Sequence, residues 1–175
     1  QNNLLYFFVS FVIVEKQKMN KEALRQFLLE ANKAGYANAS GSKSWVKEKD
    51  KSTTIEFQSG DFRMHDNFFG GEPYGGREVV FFQNAPVWMM VYYGWVDAAY
   101  ENFKEVYPFL QKALSNPPED LPLRGPEKLE EGSFVYNNRW EGNLEQYSGE
   151  ETISKDGKEI YRAGYKGGLV DQRKE

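Results

Sequence analysis

The side chains able to do chemistry are few and widely spaced. The chain holds one histidine and no cysteine. Thiolate chemistry, disulfides and cysteine-based metal sites are therefore excluded together. The histidine, His65, would need a serine and an acid beside it to work as a hydrolase triad. Asp66 follows it directly and so faces the other way on a strand. Asp61 shares its face but lies roughly 13 Å along an extended chain. His65 reads as an exposed strand residue, with catalysis or metal binding as the sharper alternative. Glu78 and Glu151 are the other candidates, because they occupy matching positions in two similar stretches. Pointed into one cavity, their mutual repulsion would raise one pKa and create an acid/base pair. The plainer expectation sets Glu151 across a ladder from Arg162 and Glu78 at a strand end near Arg77. Arg124, in Leu123-Arg124-Gly125-Pro126, is expected to anchor its segment through carbonyl or carboxylate bonds. No metal-ligand or cofactor-binding pattern is legible, so neither group is expected.

A glycine-rich run, Asn67 to Gly76 (NFFGGEPYGG), invites comparison with phosphate-cradling loops. The comparison fails, since no Lys-Ser/Thr pair follows and strands flank it where a helix N-terminus is needed. It reads as a wide aromatic turn. A ligand site, if the chain has one, is expected along Phe68, Phe69, Tyr74, Trp88, Tyr92 and Tyr165.

These residues are positioned by a stretch that occurs twice. Tyr74 to Val96 (YGGREVVFFQNAPVWMMVYYGWV) lies without a gap over Tyr147 to Leu169 (YSGEETISKDGKEIYRAGYKGGL), at a constant offset of 73. Tyr74 falls on Tyr147, Gly76 on Gly149, Glu78 on Glu151, Tyr92 on Tyr165 and Gly94 on Gly167. The pattern predicts a duplicated β-hairpin and hence two similar halves. Asp156-Gly157 is a strong type I′ signal, and Gln83-Asn84 takes its place in the first copy. The expected ladders set Ile153 opposite Ile160 and Glu151 opposite Arg162, with Val80 opposite Val87 and Glu78 opposite Met89. The first hairpin is then apolar on both faces, with Val79, Phe81, Trp88, Met90 and Tyr92 on one. Val80, Phe82, Val87, Met89 and Val91 occupy the other. A strand of this kind needs cover on both faces, which predicts helices on one and a second subunit, a ligand or the N-terminal segment on the other.

Helical periodicity places Leu24, Phe27, Leu28 and Ala31 on one face of a helix over about 20–34, capped by Asn20. A second helix is expected from Asp97, with Ala99, Phe103, Val106 and Leu110 inward and a break near Tyr107 caused by Pro108. The segment 38–52 is polar, with Lys43, Lys47, Lys49 and Lys51 around Trp45, and reads as a solvated loop. Strands are expected over Thr53–Gln58, Phe62–Asp66, Glu78–Phe82, Pro86–Tyr93, Phe134–Asn138 and Asn143–Tyr147. The connection 116–132 holds four of the seven prolines and is expected to be extended. The order gives an α+β fold of duplicated helix-plus-four-strand halves, forming a curved, mainly antiparallel sheet with helices on one face. The halves span about 20–96 and 97–170 of a single domain, 19–170, with a polar tail at 171–175.

Length and composition agree. A chain of 175 residues is most simply one domain. Aromatic residues make up 16% of it, which suits a half-buried sheet. The net charge is −4 and no long basic run appears, so direct nucleic-acid binding is not supported. Leu4 to Val14 (LLYFFVSFVIV) is too short to span a bilayer, which takes about 20 apolar residues. It also lacks the flanks of a signal peptide. It reads as an extra strand, the tail of a longer membrane segment, or sequence upstream of a natural start at Met19. The last is preferred, which leaves 1–18 outside the domain.

The words FFGGEPYGGREVVFFQNAPVWMMVYYGWV, LPLRGP and YSGEETISKDGKEIYRAGYKGGLV, in that order, resemble an uncharacterised bacterial family, domain of unknown function 5680. The likeness runs from about Met19 to Val170. Its members stand alone or follow a helix-turn-helix, which this chain lacks. The resemblance implies a soluble cytoplasmic accessory or sensing domain and supplies no catalytic residues. Taken together, the residues and the resemblance lead to a non-catalytic binding or sensing domain for a small molecule or protein partner, acting as a homodimer away from membranes. A small enzyme using Glu78, Glu151 or His65, and a protein-contact domain with a flat apolar surface at Met89, Val91 and Tyr93, are the alternatives.

Overall fold

The computed structural model describes residues 19–36 and 44–173. The apolar stretch within 1–18 and Lys43 lie outside the described residues. Helix α1 (Lys21–Tyr36) starts where Asn20 caps it, its Oδ1 accepting the Glu22 N–H at 2.8 Å. Leu24, Phe27, Leu28 and Ala31 are buried, as their spacing predicts. Strands β1 (Ser44–Lys47), β2 (Thr53–Ser59), β3 (Phe62–Gly70), β4 (Tyr74–Phe82) and β5 (Ala85–Val96) follow. After α2 (Val106–Leu114) come β6 (Lys128–Glu131), β7 (Phe134–Asn143), β8 (Gln146–Lys155) and β9 (Lys158–Leu169). All the described strands form one antiparallel sheet in the order β1-β2-β3-β4-β5-β9-β8-β7-β6. The fold is α+β and dominated by this open sheet. No helix among the described residues is long and apolar enough to cross a membrane.

Several sequence expectations need correction. Five strands rather than four precede α2, because part of the lysine-rich segment pairs along β2 as the edge strand β1. The glycine-rich run is mostly strand, since β3 continues to Gly70 and β4 resumes at Tyr74. Asn143 ends β7, and the strand expected to begin there starts at Gln146 after a tight turn. The second helix does not begin at Asp97. That carboxylate accepts the Ala99 N–H at 2.9 Å and closes only a turn. A 3₁₀ turn (Phe103–Glu105) precedes α2, and Phe103 is exposed. Pro108 explains the late start: it sits in the first turn of α2, where a backbone N–H has no helical partner to lose.

The largest correction concerns register. Both hairpins turn as expected, with positive φ at Gln83 and Asn84 and at Asp156 and Gly157. Beyond the turns, each ladder carries a bulge, between Val80 and Phe81 in one and Ile153 and Ser154 in the other. Val80 therefore pairs with Trp88, Glu78 with Met90, Ile153 with Tyr161 and Glu151 with Ala163. A slip of one residue turns each later side chain to the other face. Val80, Trp88, Met90 and Tyr92 thus share the inner face, and Val79 and Phe81 leave it.

The inner face reads as rows of directly opposed residues. The central row runs Phe68, Gly76, Tyr92, Tyr165, Gly149, Trp140. Its neighbours run Gly70, Tyr74, Gly94, Ala163, Glu151, Asn138 and Asp66, Glu78, Met90, Gly167, Tyr147. Each of four tyrosines lies over the glycine opposite it. A Cβ at Gly76 would stand 2.6 Å from the Tyr92 hydroxyl, one at Gly94 3.1 Å from the Tyr74 ring, and one at Gly167 2.5 Å from the Tyr147 hydroxyl. Gly149 is closed off in the same way by Tyr165. The glycines leave the troughs into which the rings fold, and the rings cover backbone that glycine would leave bare.

Two apolar clusters cover these rows. α1 packs Leu24, Phe27 and Leu28 with Met64, Val80 and Trp88, while α2 packs Val106, Phe109 and Leu110 with Tyr136, Ile153 and Ile160. The expected cost of filling one trough separates structure from composition. Gly76→Ala would also meet the Asn67 carbonyl and the Phe68 Cβ at 2.6 Å. It should lower unfolding free energy by about 1–3 kcal/mol in urea titrations. Gly164→Ala, in the same sheet with open space about it, should change it by less than about 0.5 kcal/mol.

Candidate functional site

The rows bring polar groups into the buried interior. Among the described residues the Tyr147 hydroxyl is buried without a hydrogen-bond partner, while Glu151 is held by its neighbours. Glu151 is fully buried. Because the bulge turns it inward, its partner is not Arg162, which instead meets Glu150 and Glu159 on the exposed side. Arg124 reaches Glu151 from the proline-rich connection with both edges of its fork, Nε donating to Oε2 at 3.2 Å and Nη2 to Oε1. The Tyr136 hydroxyl donates to Oε2 at 2.7 Å and the Tyr161 hydroxyl to Oε1 at 3.0 Å. The Tyr74 hydroxyl lies 2.6 Å from that of Tyr161. A buried carboxylate with four donors is the arrangement that offsets its lost hydration. Arg124 thus anchors its segment through a carboxylate, as its motif suggested. The segment is pinned further by Asn138 Nδ2 donating to the Gly125 carbonyl at 2.9 Å and Asn32 Nδ2 to the Pro122 carbonyl at 2.8 Å.

The second polar group stands on the other side of Tyr92. Asp66 and Glu78 are directly opposed on the inner face and both are buried. The Tyr92 hydroxyl donates to Asp66 Oδ1 at 2.6 Å. The Arg124 guanidinium lies 5.6 Å from the Tyr92 ring centre and 6.0 Å from that of Tyr165.

Above Tyr92 the sheet opens into a cleft of about 360 Å³. Asp66, Tyr74, Tyr92 and Arg124 form its floor, Trp45, Ile55 and Phe68 one wall, and Tyr107, Leu110 and Leu114 of α2 the other. The rim is fixed by Glu72. Its Oε1 accepts the Val96 N–H at 2.8 Å and its other oxygen accepts from Tyr107, whose hydroxyl also reaches the Gly71 carbonyl at 2.7 Å. Trp45 stands edge-on to Phe68 with centres 6.2 Å apart. Larger hollows of about 840 Å³ over β7 and β8 and about 670 Å³ beside Trp95 have more polar linings.

Of the six residues expected at a ligand site, Phe68, Tyr74 and Tyr92 line the cleft. Trp88 is wholly buried in the core, its indole N–H donating to the Leu144 carbonyl at 3.2 Å. Tyr165 is buried beneath Arg124 with its hydroxyl donating to Asn138 at 2.8 Å, and Phe69 points to solvent. Trp88 shares the inner face with Tyr92 but packs in the cluster under α1, and Phe69 is turned outward by strand parity beside Phe68. Glu78 and Glu151 share the inner face but stand three strands apart, roughly 14 Å sideways and 13 Å along the strands. Glu78 is mid-strand rather than at a strand end, and His65 lies opposite Val79 on the outer side. Asp66 is the residue that sequence reasoning missed. Its signal was its parity with Phe62 and Met64, which places it on the apolar face. No group of three or more acidic or histidine side chains among the described residues is placed to hold a metal ion.

Burial is the main cause that raises the tyrosines' pKa values. Tyr74 is pushed up to about 12, with the nearby Arg124 opposing the shift. Tyr136, Tyr147, Tyr161 and Tyr165 also stand above the ordinary phenol value, each first through burial. A phenol whose folded pKa exceeds its unfolded one contributes stability that is complete below about pH 10 and lost as pH rises beyond it. Stability should therefore fall above about pH 10 at up to ~1.4 kcal/mol per pH unit for each such tyrosine. Absorbance at 295 nm should show these phenols ionising together with unfolding. A second measurement addresses the ion pair: Arg124→Met should cost about 3–5 kcal/mol in urea titrations by stranding a buried carboxylate. The double change R124M/E151L should recover much of that loss.

No curated protein and no solved structure matches the chain. A family model does match, over residues 66–170. The matched stretch takes in Asp66, Glu78, Tyr92, Arg124 and Glu151, but not α1 or β1. On that match the chain belongs to the family described as Domain of unknown function (DUF5680).

Proposed function

We propose that this chain is a small-molecule binding module whose site is the cleft above Tyr92, and that it works without catalysis. One observation carries the reading. A hollow of about 360 Å³, mostly apolar and floored by a few fixed polar groups, has the size and lining of a ligand pocket. Its floor is held rigid from below by the Glu151 network, as a preformed site requires.

The same reading takes the molecule as two copies of one unit, a helix followed by strands, with both helices over the inner face. Three correspondences support it. The two bulges fall at equivalent positions, 80/81 and 153/154. The seam between β5 and β9 pairs Tyr92 with Tyr165, Trp88 with Leu169 and Val96 with Tyr161. That is the reciprocal pattern of a pseudo-two-fold between copies offset by 73. Finally, the tyrosine-over-glycine contacts recur in both halves.

A contact between copies of the chain is the second reading, and the outer face favours it. Val91, Tyr93 and Trp95 of the central strand β5 are 46%, 54% and 41% exposed, in the neighbourhood expected of a flat apolar surface. Native mass spectrometry of the purified protein tests both readings at once. A small molecule retained on the wild type and lost from Gly71→Trp would be the result expected of a binding module. Gly71 lines the cleft and has open space for a side chain, so that change narrows the mouth without disturbing the core. Retention by the variant would place the ligand elsewhere. A dimer would support the contact reading, and Tyr93→Glu should then shift the mass to that of a monomer.

A further inference from the structure

Resting on the contact between copies of the chain, we infer how the two copies lie. They pack outer face on outer face, about a two-fold axis that runs across the strands between Tyr93 and Val91. α1 and α2 pack on inner-face residues. The outer face carries Phe69, Val91, Tyr93 and Trp95, each more than 40% exposed. Directly opposed residues give that face two central rows. One runs Gly75, Tyr93, Gly164, Glu150, Arg139, and the other Arg77, Val91, Lys166, Ser148, Glu141. Arg77, Arg139, Glu141 and Lys166 are exposed. None of the four is ion-paired among the described residues.

The two rows complement each other. The axis lays the first row of one copy along the second row of its partner, as an isologous contact requires. Arg139 then meets the partner's Glu141, and Tyr93 meets the partner's Val91. Long side chains come over glycines. The partner's Lys166 lies over Gly164, where a Cβ would have open space, with the Glu150 carboxylate opposite Gly164 on β8. The partner's Arg77 lies over Gly75, onto which the Tyr93 ring leans, so a guanidinium faces an aromatic ring. A two-fold along β5 instead would set Arg77 on the partner's Lys166, and like charges set together oppose association. The size also fits. In sheet order from β3 to β7, the four rows of Trp95, Tyr93, Val91 and Met89 cover roughly 29 Å by 27 Å at ordinary strand spacing. That is close to the ~800 Å² that each partner of a stable dimer buries.

Sedimentation equilibrium of the full chain tests the pairing by exchanging charges. The wild type should dimerise. Arg139→Glu and Glu141→Arg, each alone, should raise the dimer Kd by about tenfold, because each sets like charges together at both ends of the two-fold. The exchange R139E/E141R should bring the Kd back to within about threefold of wild type, since coupled sites are not additive. Both positions are exposed, so far-UV circular dichroism should stay unchanged. Lys166→Glu, on a different strand, should weaken the dimer as well and serves if either first variant fails to fold. A dimer that Tyr93→Glu dissociates but the single reversals leave intact would overturn the two-fold arrangement and leave the contact reading standing. Single reversals that weaken the dimer with no recovery in the exchange would overturn it too. A monomeric wild type, or a dimer indifferent to Tyr93→Glu, would overturn both.

Discussion

The seam between β5 and β9 depends on tyrosines folded flat over glycines. Strands in the middle of a wide sheet carry side chains that must stand upright or find a trough. Here Gly76, Gly94, Gly149 and Gly167 supply the troughs, and Tyr92, Tyr74, Tyr165 and Tyr147 fill them. A ring lying along the sheet reaches sideways by a strand or more. That reach is what carries the Tyr74 hydroxyl over Gly94 to Tyr161, and the Tyr92 hydroxyl to Asp66. Without the glycines these rings would stand away from the sheet, and the buried carboxyl groups would lose donors.

Those carboxyl groups shape what the interior can do. Glu151 is satisfied on every side, so the Arg124 segment is clamped rather than free to move. The clamp costs the molecule two buried charges, whose hydration must be replaced by geometry. Asp66 has the same parity on the sheet but a different setting, because it borders the cleft where Glu151 does not. The residues opposite the two carboxylates differ. Asp66 opposes Glu78, and Asn138 opposes Glu151. The neutral residue accompanies the closed side and the acidic one the open side.

α2 and the 3₁₀ turn before it form one side of the cleft. Pro108 in the first turn and the 3₁₀ turn before it hold the helix start back. The Glu72 carboxylate then ties that start to β5 and to the β3–β4 turn. A rim fixed from three elements is stiff, so the space beneath it does not depend on a ligand to prop it open.

Much of this was legible from residue order. The first helix and its cap, both hairpin turns and the anchoring role of Arg124 follow from local spacing and side-chain type, which act over a few residues. The late start of α2, the edge strand β1 and the strand character of the glycine-rich run were not legible, because neighbouring strands and packed helices overrode local propensity. The two bulges were decisive. Each adds one residue to one side of a ladder, which no pattern of alternation reveals. That single residue turned Glu151 from the expected partner of Arg162 into a buried one of Arg124. Sequence by itself determined which residues could pair, through turn chemistry and the period of the strands. Only the tertiary structure decided which face each one occupies, because parity past a bulge is set by what the two sides of the sheet can bury.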